Sequence, residues 1–326
     1  MAEALPIAET VVAAEEASPA LGPAHPSTLA SRFLVAETLN GLGRPAEALP
    51  IAEAVAAAQE ANPAVGPMHH NTLASRELVA RCLDALDRTA DALPIAEAVA
   101  AAEETSPSLG PTHPQTLKSR RLIAKLLDKL GRPGEALLIA EAVTAAMEAS
   151  PVLGPMHPET VESRLLVVLL LRDLGRSAEA LPIAEAVATA KEANPNLGVT
   201  HTETLAVRYI VAYLLDKLGR TAEALPIVEA IATVHETSPE HGPKHPETLA
   251  GHEIVAQLLY KLGRTAEALQ IMQTVTAAME ASPDLGPLHP KTLESRNVVE
   301  RLRERQRREI EATAIADADM SHDLPA

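Results

Sequence analysis

The segment AEALPIAE at residues 46–53 decides how this chain folds, because it returns. The same positions read AEALPIAE from Ala2, ADALPIAE from Ala90, GEALLIAE from Gly134, AEALPIAE from Ala178, AEALPIVE from Ala222 and AEALQIMQ from Ala266. Each start lies 44 residues after the last, without insertion or deletion, so seven units cover residues 2–309 of the 326. A strict period of this size indicates a stack in which each unit buries its apolar face only against its neighbours. We therefore read residues 1–309 as a single repeat domain and residues 310–326 as a C-terminal helix extension with a flexible polar tail.

Every unit divides into two helical stretches. In the unit starting at Ala46, an Ala- and Glu-rich segment to about Ala61 places Leu49, Val55 and Ala56 at helical spacing. Pro, Ser or Thr precedes it (Pro45, Thr89, Ser177, Thr221, Thr265), as suits a helix entry. Pro50 and its counterparts are expected near the end of the first turn, where a missing N–H is tolerable. Asn62-Pro63 stops the helix, a Gly-Pro-x-His-Pro type of loop follows, and Thr72 opens a second stretch to about Leu86. Leu73, Leu78, Val79 and Leu83 line its apolar face. Gly43, Gly131, Gly175, Gly219 and Gly263 end this helix in other units, each followed by Arg, as a left-handed cap would.

Composition agrees with thin helical layers. The chain is 47% apolar but has one Phe, three Tyr and no Trp, so Ala, Leu, Val and Ile must fill the core. With 44 acidic against 28 basic residues it carries a net charge of −16, which argues against a nucleic-acid partner. One cysteine excludes a disulfide framework. The longest apolar run, Leu165–Leu171, falls far short of the ~20 residues needed to span a bilayer, and MAEALPIAE is unlike a signal peptide. A cytoplasmic protein without membrane contact is expected.

Two antiparallel helices per unit resemble a tetratricopeptide (TPR) repeat of the longer, kinesin light chain-like type. The matching pieces are the Leu-Gly-Pro-x-His-Pro loops (Leu21–Pro26, Leu109–Pro114, Leu153–Pro158, Leu285–Pro290), the Leu-Val-Ala of the loop-following helix, and the Gly-Arg-x-x-Glu-Ala-x-Pro at its end. The usual aromatic positions are Leu39 and Ala52 here, and the paired Asn is missing except for Asn297. The resemblance implies an all-α fold: a right-handed α-solenoid of about 14 helices. In it the loop-following helix is the first of each pair and the Ala-rich helix the second. The chain then opens on a second-type helix and closes on a first-type helix whose end, RLRERQRRE, puts Arg303 and Gln306 where Leu39 and Leu42 stood.

Recurring residues serve the layer. His25, His69, His113, His157, His201, His245 and His289 repeat in register. Stacked helices ~8–10 Å apart cannot gather them on one ion, whose ligands each lie ~2 Å away. Each is expected to hold its loop by a backbone hydrogen bond. Recurring carboxylates (Glu53, Glu97, Glu141, Glu185, Glu229) and arginines (Arg44, Arg88, Arg132, Arg176, Arg220, Arg264) read as structural pairs or solvated ladders. Cys82, in a leucine slot, reads as a buried filler. Residues 41–46 formally match a dinucleotide fingerprint but follow a helix. No catalytic, metal or cofactor constellation emerges, and an enzyme is not expected.

Residues that occur once are the better guide to function. Along the first-type helix, the slot of Phe33 holds Glu77, Arg121, Leu165, Tyr209, Glu253 and Asn297. The slot of Glu37 holds Arg81, Lys125, Leu169, Tyr213, Gln257 and Arg301, and that of Asn40 holds Asp84, Asp128, Arg172, Asp216, Tyr260 and Glu304. These slots share one helical face and contain all four aromatics. In TPR proteins this face lines the concave groove, so the resemblance implies a ligand surface there. The strip is basic at Lys118, Arg121, Lys125 and Lys129, apolar at Leu165 and Leu169, then aromatic at Tyr209, Tyr213 and Tyr260 beside Lys217 and Lys261. It suits an extended peptide with acidic residues and a bulky apolar anchor. The alternatives are a sensor or scaffold arm of a larger bacterial signalling protein, and a solenoid that stacks end to end. A monomer is the expected state.

Overall fold

The computed structural model describes residues 4–282 and 285–322. Residues 1–3 of the opening unit and 323–326 of the expected tail lie outside them. The chain divides into two compact units, Met1–Arg176 and Ser177–Ala326. Among the described residues every regular element is a helix. In the first unit these are α1 (Ala4–Ala17), α2 (Pro26–Gly41), α3 (Pro45–Ala61), α4 (His70–Ala85), α5 (Thr89–Thr105), α6 (Pro114–Lys129), α7 (Pro133–Ala149) and α8 (Pro158–Asp173). The second unit holds α9 (Ser177–Glu192), α10 (Thr202–Lys217), α11 (Thr221–Thr237), α12 (Pro246–Lys261), α13 (Thr265–Glu280) and α14 (Pro290–His322). Within each unit every helix packs on the next, the arrangement of an all-α helical solenoid. No described helix is long and apolar enough to cross a membrane.

The core explains how a chain nearly free of rings can bury itself. Second-type helices present fully buried small residues such as Ala48, Ala52 and Val55, and first-type helices insert Leu29, Leu73 and Leu117 against them. Small residues let the backbones approach, so many short contacts replace a few large aromatic ones. Cys82 is buried in this layer, as its leucine slot requires, and burial pushes its thiol up to about 11.

The histidine of each loop is a helix N-cap. His25 Nδ1 accepts from Ser27 N–H, His69 Nδ1 from Asn71 N–H and His113 Nδ1 from Gln115 N–H, each at 3.2 Å. The same bond recurs at His157, His201, His245 and His289. An imidazole thus satisfies one of the donors that a helix start leaves open. At the other end Gly43 adopts φ 71°, so that Gly43 N–H reaches Asn40 O (3.1 Å) and Arg44 N–H reaches Leu39 O (2.9 Å), a Schellman closure. Asp87 makes the same closure at φ 59°, the one described non-glycine residue with positive φ.

One expectation needs correcting. Because α3 begins at Pro45, Pro50 is its sixth residue and lies in the second turn. The Ala46 carbonyl loses its donor there, and the exposure of Pro50 leaves that carbonyl to water. The recurring arginines make their nearest contacts locally, and the Glu97, Glu185 and Glu229 charges of the preceding layer add a weaker attraction to Arg132, Arg220 and Arg264. Arg44 grips Glu47 at 2.7 Å, three residues on, and Arg88–Asp91, Arg132–Glu135, Arg220–Glu223 and Arg264–Glu267 repeat the pair. The i,i+3 spacing brings those side chains together on a new helix turn.

Candidate functional site

The three variable slots form a partly exposed flank of each first-type helix, beside its buried leucine stripe. In the first unit much of that face is tied across neighbouring helices. Arg81 of α4 meets Glu37 of α2 at 3.2 Å, and Lys129 of α6 meets Asp84 of α4 at 2.7 Å. Glu159 at the start of α8 takes both Arg121 (2.5 Å) and Lys118 (3.1 Å) of α6. Desolvation works to raise the Glu159 pKa, but the Lys118 and Arg121 contacts outweigh it and hold the group below the usual carboxylate range. Glu77 accepts from Gln115 Nε2 (2.7 Å) and Ser119 Oγ (3.3 Å), and burial raises its pKa. The basic stretch read from the sequence is therefore largely neutralised from within. Lys125 stays exposed, its pKa lowered by desolvation and then by the Arg121 charge, and Phe33, Leu165 and Leu169 are half-buried.

The second unit carries the tyrosines. Tyr213 and Tyr260 are 46% and 47% exposed, and the Lys217 ammonium lies over the Tyr213 ring, 5.3 Å from its centre. Tyr209 is half-buried, with its hydroxyl over Gly251 of α12, where a Cβ would stand 2.9 Å from Tyr209 Oη. Most other units have Ser in that slot, so Gly251 is the complement of Tyr209. Lys261 is paired with Asp216. A cavity of about 590 Å³ opens between α12 and α14 over α13. Met272, Met279 and Leu249 give it an apolar floor, and Tyr260, Glu253 and Arg301 stand at its sides. Burial, then the nearby Glu294, raises the Glu253 pKa.

A buried slot also varies, which reading the exposed face alone overlooks. Position 59 holds Gln, and the same slot holds Glu103, Met147, Lys191, His235 and Met279, all buried. Each partner changes to match. Gln59 Oε1 accepts from Ser75 Oγ at 2.8 Å, and Lys191 meets Glu203 at 2.8 Å. Where Met147 and Met279 stand, Thr144 and Thr276 bond Ser163 and Ser295 instead. Disagreement between copies therefore marks packing register as well as exposed surface. The signal was an ionisable residue in a slot whose neighbours are core.

The geometry defines an all-α repeat protein of the TPR-like, kinesin light chain-like fold. No protein-family model matches the chain, and no curated protein matches it. Among solved structures, the chain is similar to a Podosopora anserina protein of nearly identical TPR-like repeats, described as kinesin light chain-like. That match has 24% identity and a TM-score of 0.57, and covers 65% of this chain and 97% of that one. It is also similar to BtubC (BKLC) from P. vanneervenii, with 12% identity, a TM-score of 0.54, and 78% and 93% of the two chains covered. An assembly chaperone of RpL4 (Acl4, residues 1–338) matches at 17% identity and a TM-score of 0.50, over 87% and 99%. These likenesses establish the fold.

Proposed function

We propose that the protein is a non-enzymatic interaction module whose second unit holds a short linear peptide between α12 and α14. The observation that carries this reading is the cavity there, with an apolar floor of Met272, Met279 and Leu249 and the half-exposed Tyr260 at its rim. A ring at the edge of an apolar recess supplies contact area at little entropic cost, and such anchors dominate peptide affinity. The bulky apolar residue of the ligand enters the recess, and an acidic neighbour meets Arg301 or Lys217.

The ligand's acidic character rests on fewer cations than the sequence suggests. Lys118, Arg121, Lys129 and Lys261 already hold carboxylates, and a ligand must displace those to use them. Lys125 with Leu165 and Leu169 forms a separate candidate surface on the first unit. The likeness to TPR-like proteins, one of them an assembly chaperone, supports a scaffold role by analogy.

The test is a peptide-library selection with wild type and a Tyr213→Ala/Tyr260→Ala variant. Both rings are half-exposed, so their loss leaves the layers intact, whereas Tyr209 also fills the space over Gly251. Wild type should enrich apolar-acidic peptides and the variant should bind them at least ~10-fold more weakly, as for two lost hot-spot rings. Equal enrichment by both proteins would remove the cavity from the reading.

A further inference from the structure

We propose that His235, His241 and Glu247 form a binding site for one divalent transition-metal ion of the zinc class, where α11 passes into α12. One ligand atom from each lies within 4.8 Å of the other two. His235 Nδ1 stands 3.5 Å from Glu247 Oε2, and His241 Nε2 stands 3.2 Å from the same oxygen. Ligands ~2.0–2.1 Å from a tetrahedral ion are separated by about 3.4 Å, so both distances are those of a coordination edge. Two imidazoles and one carboxylate suit zinc and leave a fourth position for water.

Three independent features separate this cluster from a hydrogen-bonded pair. His235 is 7% exposed, and its Nδ1 is buried without a hydrogen-bond partner while aimed at the cluster. Such an orphaned group costs stability unless something fills the gap. The preceding unit shows what a simple pair looks like: Lys191 meets Glu203 directly at 2.8 Å in the same two slots. Finally, His241 takes a loop slot that is Leu or Val in every other unit (Leu21, Val65, Leu109, Leu153, Leu197, Leu285), which gives up an apolar contact for a third ligand.

The surroundings orient the ligands. His241 Nδ1 lies 3.3 Å from Ser238 Oγ; with its N–H directed there, Nε2 presents its lone pair to the site. The His241 ring is stacked at 5.1 Å on His235 and meets His245 edge-on at 4.4 Å. Burial lowers the His235 pKa. Neither His235 nor His241 belongs to the in-register histidines, so the spacing that rules out an ion among those seven does not apply.

The experiment titrates Zn²⁺ into the metal-stripped full chain against a chromophoric chelator. Imidazole C–H resonances are followed by NMR in parallel. Wild type should bind one equivalent, with shifts at His235 and His241. His241→Leu restores the residue of other units and should fold normally, and Glu247→Gln keeps the backbone cap. Each should bind on the order of 100-fold more weakly. His201→Asn, a cap substitution elsewhere, should bind as wild type does. Absence of stoichiometric Zn²⁺ binding by the folded wild type would overturn the site, as would equal affinity in His241→Leu or shifts confined to the cap histidines.

Discussion

Glu103 shows how much one buried atom set can matter in a thin-layered protein. It is 1% exposed, and desolvation raises its pKa from 4.5 to about 6. Between about pH 4.5 and 6 the folded chain therefore holds a proton that the unfolded chain has already released. The protonated form's contribution is fully present below about pH 4.5 and is lost as pH rises through 6, a change of ~2 kcal/mol. Gln59 occupies the same slot uncharged and bonds Ser75 without that penalty. Glu103→Gln should therefore raise stability at pH 7 by ~2 kcal/mol and match wild type at pH 4, as read by urea unfolding at the two pH values. The recurring slots were legible in the sequence. That this slot is buried, and so prices its charge, was not, because an Ala-rich helix shows no sharp boundary between buried and exposed faces.

Helix ends are where the motif-level reading succeeded. The Gly-Pro-x-His-Pro loop announced a histidine-backbone bond, and the structure makes it an N-cap in all seven first-type helices. His69→Ala should lower stability by ~1 kcal/mol, whereas His69→Asn, whose short side chain is a strong cap acceptor, should recover most of it. The unfolding midpoint of each variant checks this. Pro50 was misplaced because its position depends on where the first helical turn begins, and Pro45 begins it one residue earlier than the repeat boundary suggests. The Arg44–Glu47 pair was missed for a related reason. Periodicity identifies residues that recur together, but the turn geometry selects which two of them meet.

At the scale of the molecule, an identical residue changes its worth with its neighbours. Val11 of α1 and Val55 of α3 hold the same slot, yet Val11 is 44% exposed and Val55 fully buried. Val11→Ala should stay within about 0.5 kcal/mol of wild type, while Val55→Ala should cost about 2 kcal/mol. Chemical denaturation of the two variants compares them directly. Of the candidate ligand face, the slots themselves and the clustering of aromatics were readable from the alignment of units. Which cations remain available was not: Lys129 and Arg121 are matched to Asp84 and Glu159 some 38–45 positions away in the chain, and only stacking brings those pairs together.

The amino-acid sequence alone determined the unit length, the two helices per unit, their caps and the buried leucine stripe of the first-type helices, because all of these follow from local spacing repeated without error. Only the tertiary structure decided which charges cancel, that Tyr260 borders an open recess while Tyr209 folds over Gly251, and that His235 and His241 converge on one carboxylate. Those outcomes depend on contacts between a helix and the next layer, and distance through space across a stack is not encoded in the period along the chain.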